Sequence, residues 1–219
     1  RRQRQMCIRD SYLTDKNSQL ISLEKIKRNE NKLAEELEKN NAERREIAKA
    51  VKKAIEDEIK ALEKLKKAKF SLTPEGLAMS KSFNKNKGKL IWPVERGEIT
   101  SKYGRHQHHV VSTAFVDNNG IDITTSKNAN VRSVFEGKVT SVLIIPGAGR
   151  VVMVSHGEYR TVYANLQEVY VKKGDIVKPK ENLGKLLAKE SGISESHFEI
   201  WRILSSGMNT VNPSLWLSK

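Results

Sequence analysis

The sequence predicts an α+β protein: a long helical or coiled-coil stalk followed by a mostly antiparallel β-sheet domain of sandwich type. Three observations carry this prediction. Residues 15–69 contain neither Pro nor Gly and are dominated by Lys, Glu, Ala, Leu and Ile, all but Ile strong helix formers. After Leu90, short β-branched runs alternate with turn residues, the pattern of an antiparallel sheet or sandwich. Between the two, NKNKGK at residues 84–89 is polar, contains Gly and reads as a linker.

Each element has its own warrant. The opening RRQRQMCIRDS fits poorly with the rest of the chain, so residues 1–11, with Cys7, are expected to be non-native and are set aside. The stalk is assigned to residues 12–70. Its apolar residues recur at helical spacing: Leu33, Leu37, Ile47, Val51, Ile55, Ile59, Leu62 and Leu65. A stripe this persistent on a charged rod predicts a packed partner, as in a coiled coil or helical hairpin. Asn40 and Asn41 interrupt the stripe and are expected to mark a bend. Residues 71–89 form a short helix and linker, with Thr73 as N-cap and Pro74 at the first helical position. Strands are expected at residues 131–135, 138–145, 150–156, 159–166 and 196–203, with turns at Gly137, residues 146–149 and Gly157. The β domain occupies residues 90–219.

Composition sets limits. Lys plus Arg number 40 against 26 Asp plus Glu, a net charge of +14, which favours an anionic partner. The basic residues are mixed with Glu along the stalk, and no aromatic-basic motif of a nucleic-acid module is present, so a nucleic-acid role is disfavoured. A single cysteine excludes a disulfide framework and a cysteine-based zinc site. No apolar run reaches the length of a membrane span.

The chemistry concentrates in the β domain. ITSKYGR at 99–105, NGIDI at 119–123, NVRSVFEGKV at 130–139, VVMVSHG at 151–157, TVYANL at 161–166, VKKGDIV at 171–177, HFEIW at 197–201 and VNPSLWL at 211–217 resemble, in that order, the LytM or lysostaphin-type zinc metallopeptidases that cut peptidoglycan cross-links. The resemblance implies five working groups. The first zinc-ligand position, the His of an H-x-x-x-D pair, is Asn118. The Asp ligand is retained as Asp122. The catalytic His of a Tyr-Ala-His-Leu segment is replaced by Asn165. The closing H-x-H pair is represented by Glu195 and His197.

Two surviving groups are too few for a catalytic zinc, which takes three protein ligands and a water. Without the metal the water is not activated, and Asn165 cannot transfer a proton near neutrality. No metal is therefore expected at Asn118, Asp122 and His197, and no catalysis at Asn165 and Glu195. Zinc belongs only to the alternative reading, a metalloendopeptidase with an atypical site. There Glu195 would act as general base and His106, His108 or His109 would replace a ligand.

A degenerate domain behind a coiled coil resembles the EnvC-type murein hydrolase activators. That resemblance implies a non-catalytic protein of the bacterial periplasm, its signal peptide missing from this sequence. It would activate an N-acetylmuramoyl-L-alanine amidase in septum splitting. Its coiled coil would answer to a division-associated membrane complex of the FtsEX type, with peptidoglycan as a further ligand. The partner-binding groove is expected to be lined by Arg105, Asn118, Asp122, Tyr163, Asn165, Glu195, His197 and Arg202. Residues 74–83 are expected to cover it at rest.

Overall fold

The computed structural model describes residues 2–66, 73–107, 115–146, 149–189, 192–204 and 207–219, the side chains at 2–14, 62 and 64–66 excepted. The stalk is a single helix, α1 (Arg2–Lys66). It runs unbroken through Asn40 and Asn41, with no turn between helices there. Asn costs a helix interior only about 0.7 kcal/mol relative to Ala, and Asn41 is given partners. Its amide donates to the Phe115 carbonyl at 3.2 Å, and its Oδ1 accepts from Arg44 at 3.3 Å.

Helix α2 (Pro74–Lys85) starts at Thr73, whose hydroxyl accepts from the Gly76 N–H at 3.2 Å. The strands are β1 (Glu98–Ser101), β2 (Gly104–Gln107), β3 (Phe115–Asn118), β4 (Ile121–Ser126), β5 (Asn130–Arg132), β6 (Gly137–Ile145), β7 (Gly149–His156), β8 (Tyr159–Val169), β9 (Ile176–Val177), β10 (Asn182–Leu186), β11 (Ile193–Leu204) and β12 (Gly207–Val211). Among the described residues, ten of them join one sheet in the order β1-β4-β11-β8-β7-β6-β9. β12 extends it beside β11, β10 also pairs with β8, and β5 pairs with β10. Every one of these strand pairs is antiparallel. β2 and β3 form a separate ribbon. The strands therefore join one dominant sheet rather than two facing sheets of similar size.

Both faces of that sheet are covered. Strand β7 shows why, since it is apolar at both parities. Val152 and Val154 join the inner core with Ile121, Ile123, Tyr163, Phe198 and Ile200. Val151 and Met153 point the other way, into a second cluster with Val162, Ala164, Trp201 and Ile203. The lid of that second cluster is α1, through Ile47, Val51 and Ile55. The central stripe of the stalk thus packs on the sheet and not on another helix. Each such side chain contributes about 2 kcal/mol by leaving water. Further toward the N-terminus the same helix exposes Leu20, Ile21, Leu23 and Ile26.

Helix α2 belongs to the inner core. Phe83 is fully buried, stacked on His156 with ring centroids 4.7 Å apart and on Tyr159 at 4.9 Å. Gly157 lets α2 approach the β7–β8 turn, because a Cβ there would lie 2.1 Å from Ser80 Oγ. That hydroxyl instead accepts from the Glu158 N–H at 2.7 Å.

Candidate functional site

Strand parity builds the site. On β11 the side chains of Glu195, His197, Glu199, Trp201 and Ile203 alternate with the inner-core residues Phe198 and Ile200. His197 stands directly across from Asp122 on β4 and from Ala164 on β8. The turn before β4 is tight. A Cβ at Gly120 would lie 2.1 Å from the Phe198 carbonyl, so only Gly lets β4 lie this close to β11. Asn118 closes the turn, its Oδ1 accepting the Gly120 N–H at 2.9 Å.

These contacts make Asn118 a donor. Its Nδ2 gives hydrogen bonds to Asp122 Oδ2 at 3.2 Å and to Ser101 Oγ at 3.1 Å. His197 Nδ1 lies 2.6 Å from Asp122 Oδ1, and its Nε2 lies 2.9 Å from Glu199 Oε1. Trp201 Nε1 donates to the other oxygen of Glu199 at 2.6 Å. The last member comes from α1: Arg44 Nη2 donates to Asp122 Oδ2 at 2.5 Å. Arg44 is 15% exposed and Asp122 2%.

The charges are set by this geometry. Burial on its own pulls the His197 pKa down, but the hydrogen bonds to Asp122 and Glu199 outweigh it and hold the ring protonated, at about 10. Burial on its own raises the Asp122 pKa, but His197 and Arg44 outweigh it and hold the carboxyl at about 2. The site is an alternating row of charges, Arg44, Asp122, His197 and Glu199.

This chemistry does not fit zinc. Both carboxylate oxygens of Asp122 accept hydrogen bonds from cations, and both nitrogens of His197 face carboxylates. His197 thus keeps neither nitrogen for a metal, which leaves Asp122 as the one retained ligand position with an oxygen to offer. Among the described residues, no group of three or more His, Cys, Asp or Glu side chains could hold a metal ion.

The other expected site residues divide. Asn165 and Glu195 do sit here, lining with Arg44, Ile47, Asp122 and His197 a residual cavity of about 20 Å³. Asn165 holds a left-handed backbone, φ 64°, which Asn tolerates better than most residues. Its amide donates to the Glu195 carbonyl at 3.2 Å, and the Glu195 carboxylate pairs with Lys189 at 3.1 Å.

Tyr163 does not line the groove. Its odd parity on β8 turns it into the inner core, where its hydroxyl accepts the Val134 N–H at 3.0 Å. Arg202 lies on the parity opposite to Trp201, paired with Glu158 at 3.4 Å and over the Tyr159 ring. Arg105 stacks on Phe115 at 5.0 Å. His106 directs its nitrogens to the Gly104 carbonyl at 3.1 Å and Ser101 Oγ at 3.5 Å; His108 and His109 lie outside the described residues.

The cover of the groove is α1, not residues 74–83. A second ion pair fastens it, Arg160 on β8 with Glu58 at 2.7 Å, the arginine 3% and the glutamate 20% exposed. Beside α1 the groove stays open as a cavity of about 610 Å³ lined by Leu37, Asn40, Ser101, His106 and Val116 among others. Sequence reasoning missed Arg44, Glu58, Glu199 and Trp201. The available signals were Arg44 and Glu58 in register with the apolar stripe, and the alternation through HFEIW.

Residues 116–213 match the profile of peptidase family M23. The chain is 34% identical over 106 residues to the peptidoglycan DD-endopeptidase ShyB of Vibrio cholerae, covering 47% of this chain and 24% of that protein. It is 34% identical over 119 residues to an uncharacterized metalloprotease of Haemophilus influenzae, covering 52% and 25%. A solved zinc-containing peptidase from Vibrio cholerae is similar at 28% identity and a TM-score of 0.47, covering 58% of this chain and 40% of that one. The chain spans about a quarter of the length of the curated relatives it matches.

Proposed function

We propose a non-catalytic activator of a peptidoglycan amidase, from a β domain that matches the profile of peptidase family M23 over residues 116–213 and whose expected ligand positions are bonded to one another and to an arginine. The observation that carries this reading is the contact of Arg44 with Asp122 across the α1 interface. In this reading α1 lies over the groove of the β domain, and the one retained carboxylate holds it there.

In this reading the groove is a helix receptor. With α1 docked it is closed. When the stalk is drawn away, the apolar row of Val151, Met153, Val162, Trp201 and Ile203 opens to an amphipathic helix of an N-acetylmuramoyl-L-alanine amidase, the helix-in-groove mode of recognition. The exposed Leu20, Leu23 and Ile26 are the surface on which an FtsEX-type membrane complex would pull. Kinship of the β domain with a peptidoglycan endopeptidase supports an extracytoplasmic location. Among the described residues no helix is long and apolar enough to cross a membrane.

The names of the curated relatives favour a second reading, a zinc endopeptidase with unusual ligands. One experiment separates the two. Release of labelled peptidoglycan by a periplasmic amidase is measured with the wild-type chain and with Val51→Asp, which puts a charge under α1, alongside zinc analysis of both proteins. We expect stimulation at least ten-fold greater with Val51→Asp and substoichiometric zinc. Chelator-sensitive cleavage of cross-links without amidase would instead establish the endopeptidase.

A further inference from the structure

We propose that the vacated metal position is a guanidinium-binding site, and that after α1 leaves it takes an arginine from the incoming helix. The second clause rests on the helix-receptor reading above; the first stands on the site alone.

The site asks for a donor that needs no coordination shell. Asp122 Oδ1 is already engaged by His197 and Oδ2 by Asn118, so what remains is an acceptor direction toward α1. Arg44 fills that direction with Nη2, while Nη1 bonds to Asn41 on its own helix at 3.3 Å. Asn165 and Glu195 line the same cavity, the glutamate adding negative charge to that wall although Lys189 pairs with it at 3.1 Å. A planar fork of N–H groups suits such a wall, whereas an ammonium is a compact point charge. A metal ion would also need a nitrogen of His197, and both are engaged by carboxylates.

The cavity left beside Arg44, about 20 Å³, holds about one water. The site is therefore close to filled by one guanidinium. The position of Arg44 also defines its ligand. It lies three residues before Ile47, which begins the buried row Ile47, Val51, Ile55 at spacings of four. An arginine one turn ahead of an apolar i, i+4, i+8 row is the feature expected of the partner helix.

The test uses the full chain as Arg44→Ala, with the His197 ring resonances as readout. Ethylguanidinium, ethylammonium and zinc chloride are titrated at constant ionic strength. Ethylguanidinium is expected to shift those resonances saturably and at least ten-fold more tightly than ethylammonium. Zinc is expected to leave them in place, and the wild-type chain, its site filled, to respond to none. Equal responses to the two organic cations, no response, or saturation by zinc would overturn the proposal.

For the second clause, peptides spanning residues 40–58 with Arg or Ala at position 44 are added to the Arg44→Ala/Val51→Asp chain. The Arg peptide should bind at least ten-fold more tightly; equal binding overturns that clause. If the titrations succeed while no amidase is stimulated, the guanidinium site stands and the activator reading falls. Stimulation without discrimination between the cations has the opposite meaning.

Discussion

Asn118 differs from a histidine ligand chiefly in what it offers. Its amide nitrogen donates to Asp122 and its oxygen holds the Gly120 turn, so it supports that carboxylate through a hydrogen bond. The same residues predict the pH response. His197 is raised to about 10, so its stabilising contribution is complete below about 6.5 and is lost as pH rises through 10. His156 is lowered to about 3, burial being the main cause, with its Nε2 2.8 Å from Thr161 Oγ1 and its Nδ1 2.6 Å from the Glu136 carbonyl. The unfolded chain takes up that proton near 6.5, so His156 costs stability as pH falls from there toward 3. Urea midpoints are expected to drop on both sides of neutrality, and His197→Gln should flatten the limb between pH 7 and 10. An unchanged alkaline limb in that variant would mean His197 is not the group responsible. Asp122 and His197 are legible in the sequence because their motifs survive. Glu199 and Trp201 are not, because HFEIW reads as one late strand and nothing in it says which parity faces the groove.

At the scale of the elements, the stalk and the short helix exchange the roles that the sequence suggests. The apolar stripe of α1 is visible, but its partner is not, because a stripe records that something covers it and not what. The missing clue lies in β7, whose residues Val151, Val152, Met153 and Val154 are apolar on both parities and fully buried; a sheet with one wet face does not need that pattern. Helix α2 reads as a lid since it stands between stalk and sheet. Its Phe83 side chain instead closes the inner core among Phe135, His156, Tyr159 and Trp216. Removing an aromatic from such a core costs about 3–5 kcal/mol. Phe83→Ala is therefore expected to lower the thermal midpoint of the β domain. Ile55→Ala, at the α1 interface, should mainly speed amide exchange in residues 44–58 and leave the strands protected. Equal loss of protection in both regions with Ile55→Ala would show that α1 and the sheet unfold as one unit.

For the molecule as a whole, α2 belongs with the inner core through Phe83, whereas α1 packs on the opposite face of the sheet. Residues 73–219 should fold alone, while residues 90–219, without Phe83, should show a lower midpoint or no cooperative transition. Calorimetry of the two fragments decides this, and equal midpoints would return α2 to the stalk. The division is obscured in the sequence because the Gly-bearing NKNKGK run looks like a hinge; its first two residues end α2, and the rest is a turn pinned by the Lys89 N–H to the Asn86 carbonyl at 2.9 Å and by the Leu90 N–H to the Trp216 carbonyl at 3.0 Å.

The two ion pairs that fasten α1 have opposite senses. At one end the helix brings the cation, Arg44, to a carboxylate of the sheet; at the other, fourteen residues on, it brings the anion, Glu58, to Arg160. Along an α-helix that is a separation of about 21 Å. A helix laid in the reverse direction would set Glu58 against Asp122 and Arg44 against Arg160. The apolar row between them is indifferent to direction, so the charges act as a compass. A helix that competes with α1 for this groove and carries its cation before its anion must travel the same way or give up both anchors at once.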